Sequence, residues 1–89
     1  MNNKVNKKDV IRLLETIAVY LELKGENPFR VAAFRKAAAS LERTDYSLSE
    51  IADFTKLPGI GKGTSAVIEE YIKDGRSTLL DELKEEVPQ

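Results

Sequence analysis

Apolar residues recur along this chain at helical spacing, and nowhere do they alternate with period two over a strand's length. Val10, Leu14, Ile17 and Leu21 form a first stripe, widened by Ile11, Leu13 and Ala18. They predict a helix from about Lys7 to Lys24, with Asn6 as its N-cap and Gly25 ending it. Asn27-Pro28 restarts a helix, asparagine capping and proline filling the first turn. That helix runs to about Glu42 and buries Ala33, Phe34, Ala37, Ala38 and Leu41, its alanines permitting close packing. Ser47 with Glu50 forms a capping box, which opens a short helix from about Leu48 to Phe54. A further helix is expected from about Lys62 to Lys73, with Val67, Ile68, Tyr71 and Ile72 inward and Gly75 closing it. Ser77 caps a last short helix carrying Leu79, Leu80 and Leu83. The expected fold is all-α, a bundle of four helices plus a short C-terminal one, within a single domain spanning residues 1–89.

Between the third and fourth predicted helices the chain reads Leu57-Pro58-Gly59-Ile60-Gly61-Lys62-Gly63-Thr64. Two glycines bracket one apolar residue, Ile60, which can plug back into the core. Glycine tolerates positive φ and has no side chain to hold a ligand off, so such a corner can turn tightly and lie close to a phosphate. The N–H groups of Gly61, Lys62 and Gly63 then open a helix whose dipole favours an anion, and Lys62 adds a full positive charge. An ordinary tight turn between packed helices uses the same glycines, so the corner by itself does not specify a ligand.

Composition narrows the chemistry. The 89 residues suffice for one modest core, and 33% are charged, which predicts densely charged helix faces. Net charge is −1, so any nucleic-acid contact comes from a local patch and not from a globally basic domain. With no cysteine there is no disulfide, thiol chemistry or zinc-finger site; with no histidine the commonest general base and metal ligand are missing. No apolar run is long enough to cross a membrane and no signal peptide is recognisable. These features suggest a cytoplasmic protein. The ending Glu85-Glu86-Val87-Pro88-Gln89 reads as a linker, which suggests a domain belonging to a longer protein.

Three segments in this order carry a family resemblance: Asn27-Pro28-Phe29-Arg30-Val31-Ala32-Ala33-Phe34-Arg35-Lys36-Ala37-Ala38, the helix-hairpin-helix unit from Ile51 to Ile68, and Glu70-Tyr71-Ile72-Lys73-Asp74-Gly75. Together they resemble the N-terminal eight-kilodalton domain of family X DNA polymerases, most nearly the bacterial enzymes with a following polymerase-and-histidinol-phosphatase domain. The likeness runs from about Lys7 to Leu83. It implies a DNA-binding domain of a repair polymerase, as in base excision repair, which grips gapped or nicked DNA by its backbone and by the 5′-phosphate of the downstream strand. The parent would catalyse template-directed nucleotidyl transfer with divalent metal held in other domains, near the bacterial nucleoid. The isolated domain would be a monomer.

The resemblance assigns phosphate binding to Arg30 near the start of the second helix, an arginine whose planar fork suits a phosphate. Phe34 stands where many relatives carry tyrosine and is open to two readings, ligand contact or core. Arg35 and Lys36 are either further contacts or solvated charges. Lys56, Gly59, Gly61, Lys62, Gly63 and Thr64 complete the expected DNA surface. The family's hairpin also holds a monovalent cation, sodium or potassium, through backbone carbonyls that correspond here to Thr55, Leu57 and Ile60.

The chain departs from the pattern in two places. Relatives with 5′-deoxyribose-phosphate lyase activity use a lysine as Schiff-base nucleophile where this chain has Val67, and valine cannot serve. A lysine following the hairpin glycines is replaced by Gly63, with Lys62 one position earlier. No catalytic residue is therefore assigned. Two rival readings remain: a lyase using Lys36, Lys56 or Lys62, and a protein-docking module acting through its acidic C-terminal region. Asp81, Glu82, Glu85 and Glu86 in that region read as a solvated face.

Overall fold

The computed structural model describes residues 5–86. Four α-helices, α1 (Lys7–Lys24), α2 (Pro28–Arg43), α3 (Lys62–Asp74) and α4 (Thr78–Glu86), are joined by short turns. No strand occurs among the described residues, so the all-α expectation stands. Helix boundaries follow local capping chemistry. Asn6 Oδ1 accepts from the Asp9 N–H at 2.9 Å, and Asp9 Oδ2 accepts from the Asn6 N–H at 3.1 Å. This reciprocal pair satisfies two donors at the start of α1. Asn27 Oδ1 accepts from the Phe29 N–H at 2.8 Å at the start of α2, where Pro28 needs no donor partner.

α1 and α2 form the principal helix pair, with α4 docked against α1 and α3 touching both α1 and α2. The core is built from Val10, Leu13, Leu14, Ile17, Ala18 and Leu21 of α1 and Val31, Phe34, Ala37, Ala38 and Leu41 of α2. Phe54, Ile60, Ile68 and Leu83 complete it. Lys7 Nζ ties the start of α1 to the chain after α2, donating to the carbonyls of Thr44 at 2.6 Å and Tyr46 at 3.0 Å.

Two expectations need correction. The segment predicted as a helix from Leu48 to Phe54 forms two separate 3-10 turns, Leu48–Glu50 and Phe54–Lys56. The first is closed by the Ile51 N–H on the Leu48 carbonyl, after which Ile51 and Asp53 are extended. Asp53 then caps a new turn through the Thr55 N–H at 3.0 Å, a local side-chain bond that competes with helix continuation. Glu50 does accept from the Ser47 N–H at 2.8 Å, so half of the predicted capping box governs this turn. The second correction concerns α3. Ile68 is fully buried, but Val67 and Tyr71 are half-buried and Ile72 is exposed, bordering an open hollow with Val5, Lys7 and Leu48.

Ile60 enters the core and is 4% exposed, so it fastens the glycine corner to the α1–α2 pair. Ile60→Ala should lower the unfolding free energy in urea by about 2–5 kcal/mol. Leu23→Ala, at a position 67% exposed, should change it by less than about 0.5 kcal/mol.

Candidate nucleic-acid interface

The corner between the second 3-10 turn and α3 is a proline–glycine turn. Leu57 accepts from the Ile60 N–H at 3.2 Å across Pro58 and Gly59. Gly59 has φ +85°, the conformation a type II turn demands at that position. A Cβ on Gly59 would also stand 3.4 Å from the Lys36 carbonyl oxygen, so the turn lies directly on α2. The positive φ is what calls for glycine here, since a Cβ at this distance would make an ordinary contact with α2.

Gly61 and Gly63 differ from it. Each has negative or helical φ, and a Cβ at either would meet nothing within 4 Å. The protein's own packing does not call for glycine at these two positions. What their absence of side chain leaves is bare backbone facing open space, at the N-terminus of a helix.

The amides at this terminus divide into two sets. The Gly61 N–H is occupied by Thr64 Oγ1 at 3.1 Å, and the Thr64 hydroxyl donates back to the Gly61 carbonyl at 3.2 Å. The Ser65 N–H makes the first helical bond, to the Gly61 carbonyl at 2.9 Å. The N–H groups of Lys62, Gly63 and Thr64 have no partner among the described residues. The free set is therefore shifted one residue along from the expected Gly61, Lys62 and Gly63. Thr64 contributes its backbone amide, because its side chain is buried and engaged.

α2 brings Arg30 to this end. Arg30, Ala33 and Phe34 face Gly61, Gly63, Thr64 and Val67 across a groove of about 300 Å³, with Leu79 of α4 at its edge. Phe34 is 5% exposed and belongs to the core, so it floors the groove and offers no open ring face. Val67 lines the groove and no lysine does. The Arg30 guanidinium pairs with Glu26 at 3.3 Å.

The remaining basic residues do not form one face. Helical geometry separates residues five apart by well over a quarter turn, and Arg35 lies away from the hairpin, paired with Glu22 at 3.1 Å beside Pro28 and Val31. Lys36 stands on the other side of α2, against Gly59. Lys56 and Lys62 are exposed on either side of the corner and have no carboxylate within ion-pair distance among the described residues. Two residues were missed from sequence. Arg43 lines a second groove with Lys36, and its position seven residues later on one helix was the available signal. Phe29 is 85% exposed next to Arg30, off the buried stripe of its helix.

The three carbonyls expected to hold a cation differ in their bonding. Those of Thr55 and Ile60 accept no hydrogen bond among the described residues, whereas that of Leu57 accepts from Ile60. Just upstream, the Thr55 hydroxyl and N–H, with help from Lys56, hold the Asp53 carboxyl below its ordinary range. Among the described residues, no cluster of three acidic side chains could hold a metal ion.

The helix-hairpin-helix domain family matches residues 5–77. The chain belongs to that family. It is 65% identical over 85 residues to the DNA polymerase/3′-5′ exonuclease PolX of Bacillus subtilis (strain 168), an alignment covering 96% of this chain and 15% of that protein. It is 40% identical over 58 residues to the DNA nucleotidylexotransferase of Ambystoma mexicanum, covering 65% of this chain and 11% of that protein. This helix-hairpin-helix domain thus spans a small part of the polymerases it matches and takes the form found in family X.

The Thr64–Gly61 bonds are the internal clamp of this helix-hairpin-helix corner. Thr64→Val should cost about 1–3 kcal/mol by leaving the Gly61 N–H without an acceptor, and Thr64→Ser should retain most of that stability in thermal unfolding.

Proposed function

We propose that this domain is the DNA-binding module of a family X repair polymerase and holds gapped or nicked DNA by backbone phosphates, including the downstream 5′-phosphate. The observation that carries this reading is the trio of amides at Lys62, Gly63 and Thr64 without a partner among the described residues, beside two exposed glycines at which a Cβ would meet nothing within 4 Å. A helix N-terminus of this kind attracts an anion through aligned donors and the dipole together. Arg30, across the groove from Gly61 and Gly63, would hold the terminal phosphate in exchange for Glu26. Lys56 and Lys62 would add charge on either side of the corner. Contacts of this type fix the position of a duplex and read little sequence.

A monovalent cation bridging the free carbonyls of Thr55 and Ile60, with Leu57, to a phosphate oxygen would complete the corner. Polymerisation would reside in other domains of the parent, which would act in the cytoplasm on nucleoid DNA. Deoxyribose-phosphate lyase chemistry finds no support in the groove, where Val67 takes the place of the nucleophile.

Gly63→Ala separates binding from folding. Side chains on a helix tilt toward its N-terminus, so the added methyl would stand among the amides a phosphate must reach. Stability should hold or rise by up to about 1 kcal/mol, since alanine is the better helix former. Affinity for gapped duplex, followed by fluorescence anisotropy, should fall several-fold. Arg30→Ala should reduce the preference for a 5′-phosphorylated gap by roughly three- to tenfold. Unchanged binding in both variants would overturn the proposal.

A further inference from the structure

The basic residues of the domain fall into two electrostatic classes. Arg30 and Arg35 are neutralised by Glu26 and Glu22 on their own side of α2. Lys36 and Arg43 have no carboxylate within ion-pair distance among the described residues. They share a groove of about 560 Å³ with Ala39, Ser40 and Thr44 of the same flank and Leu57, Pro58 and Gly59 of the corner. Seven residues apart, they lie on one helix face and about 10 Å from each other along the axis. That distance equals roughly three phosphates of one strand measured along a duplex axis.

The wall opposite the two cations is uncharged. Glu42 and Asp45 are near in sequence, but neither lines the groove. At its far end the Lys7 ammonium is fixed on the Thr44 and Tyr46 carbonyls, adding an immobile positive charge near Thr44. Ser40 supplies a hydroxyl between Lys36 and Arg43, a group that commonly donates to phosphate oxygens. A cation in the last turn of a helix complements its dipole, which would explain Arg43 alone. It does not explain Lys36, nearly two turns earlier, or the absence of a carboxylate from the groove.

We propose that the Lys36–Arg43 groove is a second nucleic-acid contact, a track for the phosphate backbone of duplex DNA on the opposite flank of the Pro58–Gly59 corner from Arg30. The inference rests on the DNA-binding reading above and extends its footprint along α2. The two sites divide the work. The Arg30 groove takes a strand end, where a terminal phosphate displaces Glu26. The Lys36–Arg43 track takes internal phosphodiesters of continuous duplex and needs no end.

Salt-dependent anisotropy titrations of this chain with a blunt duplex lacking 5′-phosphate test the division. Lys36→Ala/Arg43→Ala should weaken duplex binding about tenfold at low salt. The slope of log affinity against log salt should drop by nearly two, close to one per lost phosphate contact. The same double variant should keep the wild-type preference for a gapped substrate bearing a 5′-phosphate. Arg43→Lys should restore most of the slope. The comparison variant is Lys73→Ala/Lys84→Ala, which removes the same charge from residues lining neither groove. Both side chains of the track are exposed, so each variant should fold, with circular dichroism as the check. A slope and affinity matching the Lys73→Ala/Lys84→Ala protein would overturn the track while leaving the Arg30 site intact. Loss of the 5′-phosphate preference together with duplex binding would overturn the division between the two sites. Wild-type protein without salt-dependent duplex binding would overturn the DNA-binding reading and the track with it.

Discussion

The position of Ile60 governs the whole interface. Its side chain is sunk into the core that also holds Phe34 and Ile68, and the glycines on both sides of it are exposed. Before it, Pro58 and the positive φ of Gly59 bring the chain down onto α2 at Lys36. After it, extended Gly61 caps the start of α3, whose first three donors have no partner among the described residues. One buried side chain thus fixes the orientation of a helix N-terminus that could not bury its own amides. The energetic cost of leaving such donors unpaired is low where water or an anion reaches them, and both glycines beside them are exposed.

Not every glycine and hydroxyl in the corner does the same thing. Gly59 answers an internal constraint of backbone conformation. Gly61 and Gly63 leave space that nothing in the domain fills. Thr64 closes the Gly61 amide from within, so the run of amides without a partner among the described residues begins one residue further along. The basic side chains are sorted in a similar way. Net charge is −1, yet the pairing of Arg30 and Arg35 with glutamates leaves Lys36, Arg43, Lys56 and Lys62 unneutralised around the corner. A domain without overall positive charge can in this way present a local cationic surface.

Where local chemistry decided structure, residues alone were enough to read it. Asn6, Asn27, Gly25 and Gly75 mark helix ends because capping is a matter of three or four neighbouring residues, and α1, α2 and α3 begin and end within a residue or so of expectation. The Leu48–Phe54 segment was misread because its apolar spacing suits a helix, while Asp53 prefers to cap the next turn. Ile72 was misread because periodicity reports which face is apolar and not how far the neighbouring helices extend. The candidate site was most legible at the hairpin, where Pro58 and Gly59 carry backbone requirements in their identities. It was less legible on α2. Arg30, Arg35 and Lys36 are close in sequence but face three directions, and only their carboxylate partners and neighbours distinguish a waiting cation from a neutralised one.

The account turns on whether the Lys62, Gly63 and Thr64 amides receive a phosphate. Two-dimensional proton–nitrogen spectra, recorded while a short gapped duplex with a 5′-phosphate is added, test this most directly. The account predicts that these three amide protons move downfield together, as donors to a charged acceptor do, while the Gly61 amide moves least among them because Thr64 already holds it. Stationary signals from all three, with the perturbed residues gathered instead on the acidic surface of α4, would contradict it.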